Sequence, residues 1–182
     1  FFKNMVRKIQ FTILKGIEVD ILKNGELDFP DRVLKELDIV VASVHSNFKL
    51  DADQQTERIV EAAKNEHVDI IGHLTGRLLS RRSGYEIDVD KIIDTCACYH
   101  TALEINAYPD RLDIDEHIAR KAKDYGVKVA INSDAHHRNE LKLMAYGVTT
   151  ARRGWLEAGD VLNTLSPAEL LKALGKGADT QD

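Results

Sequence analysis

Five short apolar runs recur about every thirty residues along this chain, and each ends in or carries a side chain that can hold a metal. Glu18 closes the run at 11–17, His45 the run at 38–44 and His73 the run at 68–72. Glu104 sits inside the run at 102–106, and Asp134 and His136 follow the run at 127–133. From Glu18 through His45, His73 and Glu104 to Asp134 the spacings are 27, 28, 31 and 30 residues. That is the length of one strand-plus-helix unit, about 30 residues. Parallel strands in such units place their C-terminal ends on one face, where functional residues collect. Three His and three carboxylates are therefore expected to converge, and that donor set reads as a metal site.

The intervening segments carry the helical period. Pro30 is placed as the first residue of a helix bearing Val33, Leu34 and Leu37. A second helix is expected near 53–65. A third has Val89, Ile92, Ile93 and Cys96 at i, i+3, i+4 and i+7. A fourth, near 115–125, stops at Gly126. Residues 147–151 read as one more short, weak strand. Ser166-Pro167-Ala168-Glu169 is a capping-box helix start. The alternation of strand and helix predicts an α/β fold with a parallel sheet. The expected organisation is one domain over 1–175 with a frayed tail at 176–182.

At 182 residues the chain is one domain by length. No apolar run approaches the roughly 18–20 residues needed to cross a bilayer, and the start lacks a signal-peptide core, so a cytoplasmic location is expected. The first residue is Phe rather than Met, which suggests a beginning within a longer protein. The formal charge of −5 argues against strong non-specific nucleic-acid binding. It leaves open a nuclease module held on DNA by a neighbouring domain. Cys96 and Cys98, two residues apart on a helix, point in different directions and are expected simply to pack.

Imidazole and carboxylate suit zinc, manganese or iron. Bound metal acidifies water and clamps attacking and leaving oxygens, so the supported chemistry is hydrolysis. Arginines follow several of the strand ends and fit an anionic substrate. Arg77 and Arg111, nearest those ends, are the expected substrate contacts, whereas Arg81-Arg82 and Arg152-Arg153 read equally well as solvated loop charges. Asp20, two residues beyond Glu18, is expected to face the same side. Trp155 is expected to be a packing anchor.

The stretches Gly16-Ile17-Glu18-Val19-Asp20, Ala42-Ser43-Val44-His45, Ile71-Gly72-His73, Leu103-Glu104-Ile105-Asn106-Ala107 and Asn132-Ser133-Asp134-Ala135-His136 resemble the later motifs of a PHP (polymerase and histidinol phosphatase) domain. Leu74-Thr75-Gly76-Arg77 and Pro109-Asp110-Arg111-Leu112-Asp113 are similar to the branch found at the C-terminal end of bacterial family X DNA polymerases. The resemblance implies a distorted, seven-stranded (βα) TIM-like barrel, here lacking about its first two strands. It implies up to three Mn2+ or Zn2+ ions and phosphoester hydrolysis. In the polymerase branch that means 3′→5′ exonuclease or DNA-end processing in repair, with a DNA 3′ end as substrate and an upstream polymerase domain as partner. Carried over by motif, Glu18 would bridge two metals, Asp134 would join one and His45 the other, and His73 and His136 would hold the third. Glu104 would support the site through a hydrogen bond rather than ligate. The family's opening His-x-His, the His soon after it and a later Asp-His are not matched in this sequence. On that ground the chain by itself is expected to bind metal poorly and to be inactive. Two other readings stand beside this one: a stand-alone phosphatase of the histidinol-phosphate type, and a PHP-fold module without activity.

Overall fold

The structure, a computed structural model, describes residues 11–176. Five parallel strands form one sheet in chain order: β1 (Gly16–Asp20), β2 (Ile39–Ser43), β3 (Ile70–Ile71), β4 (Ala102–Asn106) and β5 (Val129–Asn132). Between them lie α1 (Asp31–Leu34), α2 (Ala52–Ala63), α3 (Val89–Tyr99) and α4 (Glu116–Asp124). A 3-10 turn at Arg138–Leu143 leads into α5 (Met144–Arg153), and α6 (Pro167–Ala173) follows two further 3-10 turns. Sequential order with parallel pairing throughout is the winding of βα-barrel folds.

Side chains alternate between the two faces of the sheet. One face presents Val19, Val40, Ala42, Ile71, Leu103, Ile105, Val129 and Ile131. These pack in one core with Ile59 and Val60 of α2, Ile92 and Ile93 of α3, Ala119 of α4 and Ala151 of α5. The other face is built differently along its length. Its lower layer, Ile70, Ala102 and Ala130, packs on Leu162, with Leu170 and Leu174 against it. Its upper layer holds the polar residues of the candidate site. Register fixes this division: Asp20 pairs with Ser43, Glu104 with Ala130 and Asn106 with Asn132.

The outer edge of β5 is closed by a side chain. Asn163 Nδ2 donates to the Ile131 carbonyl at 2.8 Å, and the Ile131 amide donates to Asn163 Oδ1 at 2.7 Å. One amide side chain thus imitates a paired strand and blunts an exposed edge.

Several expectations require correction. Residues 11–15 form no strand, and Phe11 and Ile13 are both 81% exposed. Glu18 therefore sits in the middle of β1, not at its end. Residues 147–151 lie in α5, not in a strand. Their β-branched composition is misleading, because the buried positions are Gly147, Thr150 and Ala151, at i, i+3 and i+4. Gly147 is required there: a Cβ would come 2.4 Å from Ile131 Cγ2 and 2.8 Å from Ala107 Cβ. Pro30 precedes α1 as its cap residue rather than opening it. Trp155 is 72% exposed and anchors no core. Lys176, placed in the expected tail, pairs its Nζ with the buried carboxylate of Asp69, which also accepts from the Val40 amide at 2.6 Å. Residues 1–10 and 177–182, and the expectations that fall on them, lie outside the described residues.

Candidate metal centre

Glu18 and Asp20 both project from the polar face of β1, because residues two apart in a strand share a side. His45 leaves the chain two residues after β2, and His73 two residues after β3. Ligand atoms of Glu18, His45 and His73 all lie within 4.8 Å of one another. Glu18 Oε1 is 3.4 Å from His45 Nε2 and 3.3 Å from His73 Nε2. Bonds of about 2.1 Å to a tetrahedral ion set neighbouring donors about 3.4 Å apart. Two edges of the cluster already have that length, so the donor set fits a divalent cation.

The imidazoles are oriented from behind. His45 Nδ1 is 2.6 Å from Asp20 Oδ1. A carboxylate only accepts, so Nδ1 carries the hydrogen and Nε2 faces Glu18. The two rings meet edge to face with centroids 5.1 Å apart. His73 is buried, and its Nδ1 has no hydrogen-bond partner. Its backbone sits at φ 22°, in the sparsely populated left-handed region.

Glu104 fixes that strained residue. Its Oε2 accepts from the His73 amide at 2.7 Å, and its Oε1 accepts from Asn132 Nδ2 at 2.8 Å. The carboxyl is buried, which pushes its pKa up, against the opposing pull of the Asn132 amide. Gly72 makes this approach possible. A Cβ there would lie 2.2 Å from Ser43 Oγ, 2.9 Å from Val41 Cγ1 and 3.6 Å from Glu104 Oε2. Asn106 extends the network, its Nδ2 lying 3.4 Å from Glu104 Oε2 and 3.1 Å from Asp134 Oδ2.

Electrostatics within the cluster are mutual. Hydrogen bonds from His45 and then His73 hold the Glu18 carboxyl well below the usual carboxylate range. Glu18 in turn, with Asp20 adding to it, raises His45 to about 9 against the cost of burial. Protons and metal would therefore compete for the same atoms.

Asp134 and His136 do not join the three-residue cluster. Asp134, at φ 51°, contacts Asn106 and lies 3.4 Å from Arg111 Nε. The His136 side chain is 84% exposed, with Nδ1 2.8 Å from the Asp134 carbonyl. Glu140 accepts from the His136 and His137 amides and holds this turn. Arg81, Tyr108, Arg111, Asp134, His136 and Glu140 line an open cleft of about 370 Å³.

Arg77 has other work. Its Nε donates to the Arg111 carbonyl at 3.0 Å, its Nη2 to the Leu112 carbonyl, and its Nη1 lies 3.4 Å from Asp115 Oδ2. It binds the loop that carries Arg111 and does not reach the cluster. Arg111 is the arginine that reaches a candidate ligand. Sequence alone suggests no role for Asn106 and Asn132. Their signal was position: both stand on the polar face of the sheet in register with each other.

No family model matches the chain. It is 51% identical over 156 residues to the DNA polymerase/3′-5′ exonuclease PolX of Bacillus subtilis (strain 168), a match covering 86% of this chain and 27% of that protein. It is 36% identical over 162 residues to a probable phosphatase of Thermoanaerobacter sp. (strain X514), covering 84% of this chain and 64% of the relative. A probable phosphatase of Clostridium acetobutylicum is 34% identical over 149 residues, covering 75% and 59%. The chain thus spans about a quarter of the polymerase and less than two thirds of these phosphatases.

Proposed function

We propose, on the premise that this chain belongs to the PHP (polymerase and histidinol phosphatase) family, that it forms part of a metal-dependent phosphoesterase. The observation that carries the reading is the convergence of Glu18, His45 and His73 from three successive strand units onto one oxygen-and-nitrogen cluster. A divalent ion held there would supply acidified water and charge stabilisation for phosphoester hydrolysis. Mn2+ and Zn2+ both suit the donors, and Asp134 and His136 are proposed to hold a further ion beside the cleft.

The residues of the chain have distinct tasks in this reading. Asp20 holds His45 by Nδ1, so that Nε2 faces the ion. Glu104 fixes the backbone of His73 and is not itself a ligand. Arg111 lies at the cleft beside Asp134, where its guanidinium can meet a phosphate. Arg77, proposed from sequence as a second substrate contact, acts through the loop that places Arg111.

For substrate we propose a DNA 3′ end, within a longer protein that carries a polymerase domain. The support is the higher identity to PolX, a protein named as a DNA polymerase and 3′-5′ exonuclease. A small phosphorylated metabolite is the second reading, favoured by the relatives named as probable phosphatases. The test is hydrolysis by the longest natural form of the protein containing this chain, with Mn2+, of a 3′-labelled oligonucleotide and of p-nitrophenyl phosphate. Loss of both activities in His73→Ala is expected. Oligonucleotide trimming by the parent protein favours the first substrate, and cleavage of the small ester alone favours the second. An unchanged His73→Ala would refute the site.

A further inference from the structure

Among the described residues, one buried cation donates only to uncharged acceptors. Arg58 lies in the middle of α2 and is 1% exposed. Its Nη1 donates to the Ser46 carbonyl at 3.0 Å and to Gln55 Oε1 at 3.1 Å, and its Nη2 donates to the Ile21 carbonyl. Burying a guanidinium whose hydrogen bonds go only to uncharged oxygens, with the Asp20 carboxylate acting on it without direct contact, is costly, and an apolar side chain of the same length would fill the space more cheaply. Its presence calls for a reason in what it touches.

Both carbonyls are one residue past the candidate site. Ile21 follows Asp20, and Ser46 follows His45. These two segments leave adjacent strands, β1 and β2, right after the two residues that make the Asp20–His45 hydrogen bond. Gly25, at φ 87°, seats the first of these segments against α2. A Cβ there would lie 2.6 Å from Glu61 Cβ and 3.1 Å from the Arg58 carbonyl.

We propose that Arg58 is a positioning residue for the metal centre, its planar fork tying the ends of β1 and β2 so that Asp20 holds His45 in place. A rigid fork can meet two carbonyls at a fixed spread, whereas a lysine ammonium meets them only as a point charge. The metal-affinity part of this inference rests on the proposed site. The His45 part does not.

The test uses Arg58→Met, Arg58→Lys and, as a packing control in α3, Ile92→Val. Two quantities are read on each, in the longest natural form of the protein containing this chain: the His45 Nδ1–H that faces Asp20, by 1H–15N NMR without metal, and Mn2+ affinity by calorimetry. Arg58→Met, folded by far-UV circular dichroism, is expected to lose the ring N–H signal and to bind Mn2+ at least tenfold more weakly. Arg58→Lys should restore part of both, and Ile92→Val should keep both. A folded Arg58→Met with the N–H signal intact and affinity within twofold overturns the proposal, as does equal loss in Ile92→Val. If Arg58→Met does not fold, Arg58→Lys decides: an unchanged N–H signal overturns the proposal and a weakened one supports it. If the longest natural form of the protein containing this chain binds no Mn2+, the metal reading falls while the N–H signal still tests Arg58.

Discussion

Asp20 Oδ1 and His45 Nδ1 are 2.6 Å apart, and this contact decides which nitrogen of His45 faces Glu18. The pairing joins neighbouring strands, with β1 supplying the acceptor and the loop after β2 the donor. Carboxylate–histidine pairs of this kind fix ring orientation and raise the basicity of the free nitrogen, and their loss typically weakens metal binding 10–100-fold.

Asp20→Ala is therefore expected to weaken Mn2+ or Zn2+ binding by about 10–100-fold. Calorimetric titration measures this, with circular dichroism showing that the fold is kept. An affinity within twofold of wild type would mean that His45 is oriented by something else.

The raised pKa of His45 gives metal binding a pH dependence. Below about 9 the ring is doubly protonated in the metal-free protein. A cation must displace that proton, so apparent affinity rises with pH up to about 9 and proton release accompanies binding. The metal-free fold should behave in the opposite sense. The folded pKa of His45 lies above its ordinary value of 6.5, so its contribution to stability is complete below 6.5 and is lost as pH rises through about 9. Metal titrations in two buffers of different ionisation enthalpy, together with urea melts from pH 6 to 10, test both signs.

Glu104→Leu should destabilise the fold. The change leaves the buried His73 amide and the Asn132 side-chain amide without their acceptor. An unsatisfied buried donor costs about 1–3 kcal/mol. Urea denaturation of the metal-free chain reads this, and a loss below about 0.5 kcal/mol would contradict the network described.

The strand units and the cluster-forming residues were legible for different reasons. Glu18, His45 and His73 stood out because each closes a short apolar run and the three recur 27 and 28 residues apart. The same period hid the exceptions. Residues 147–151 carry the β-branched composition of a strand, yet their buried positions fall at helical spacing, which only contact with β5 and Ala107 makes visible. The run at 11–17 is apolar but lies outside the sheet over 11–15, which moved Glu18 from the end of β1 to its middle. Asp134 and His136 follow the last apolar run with the same regularity, but the turn after β5 directs His136 outward into an open cleft. Arg77 was read from charge and position alone, and charge does not reveal that backbone carbonyls occupy a guanidinium.

Gly72→Ala tests how closely the polar layer is packed. Its Cβ would meet Ser43 Oγ and Val41 Cγ1 at distances that force movement. Overpacking of this kind costs about 1–3 kcal/mol. Adding Ser43→Ala removes the nearer clash and should recover part of the loss, leaving the Val41 contact. A double mutant no more stable than Gly72→Ala alone would place the strain elsewhere.

Glu18, His45 and His73 are proposed to share one metal ion. Anomalous diffraction at the manganese or zinc edge, from crystals of the protein grown with that ion, tests it most directly. A peak is expected at bonding distance, about 2.0–2.3 Å, from a Glu18 carboxylate oxygen and from Nε2 of both histidines. A metal-loaded crystal whose peaks all lie away from these three side chains would contradict it.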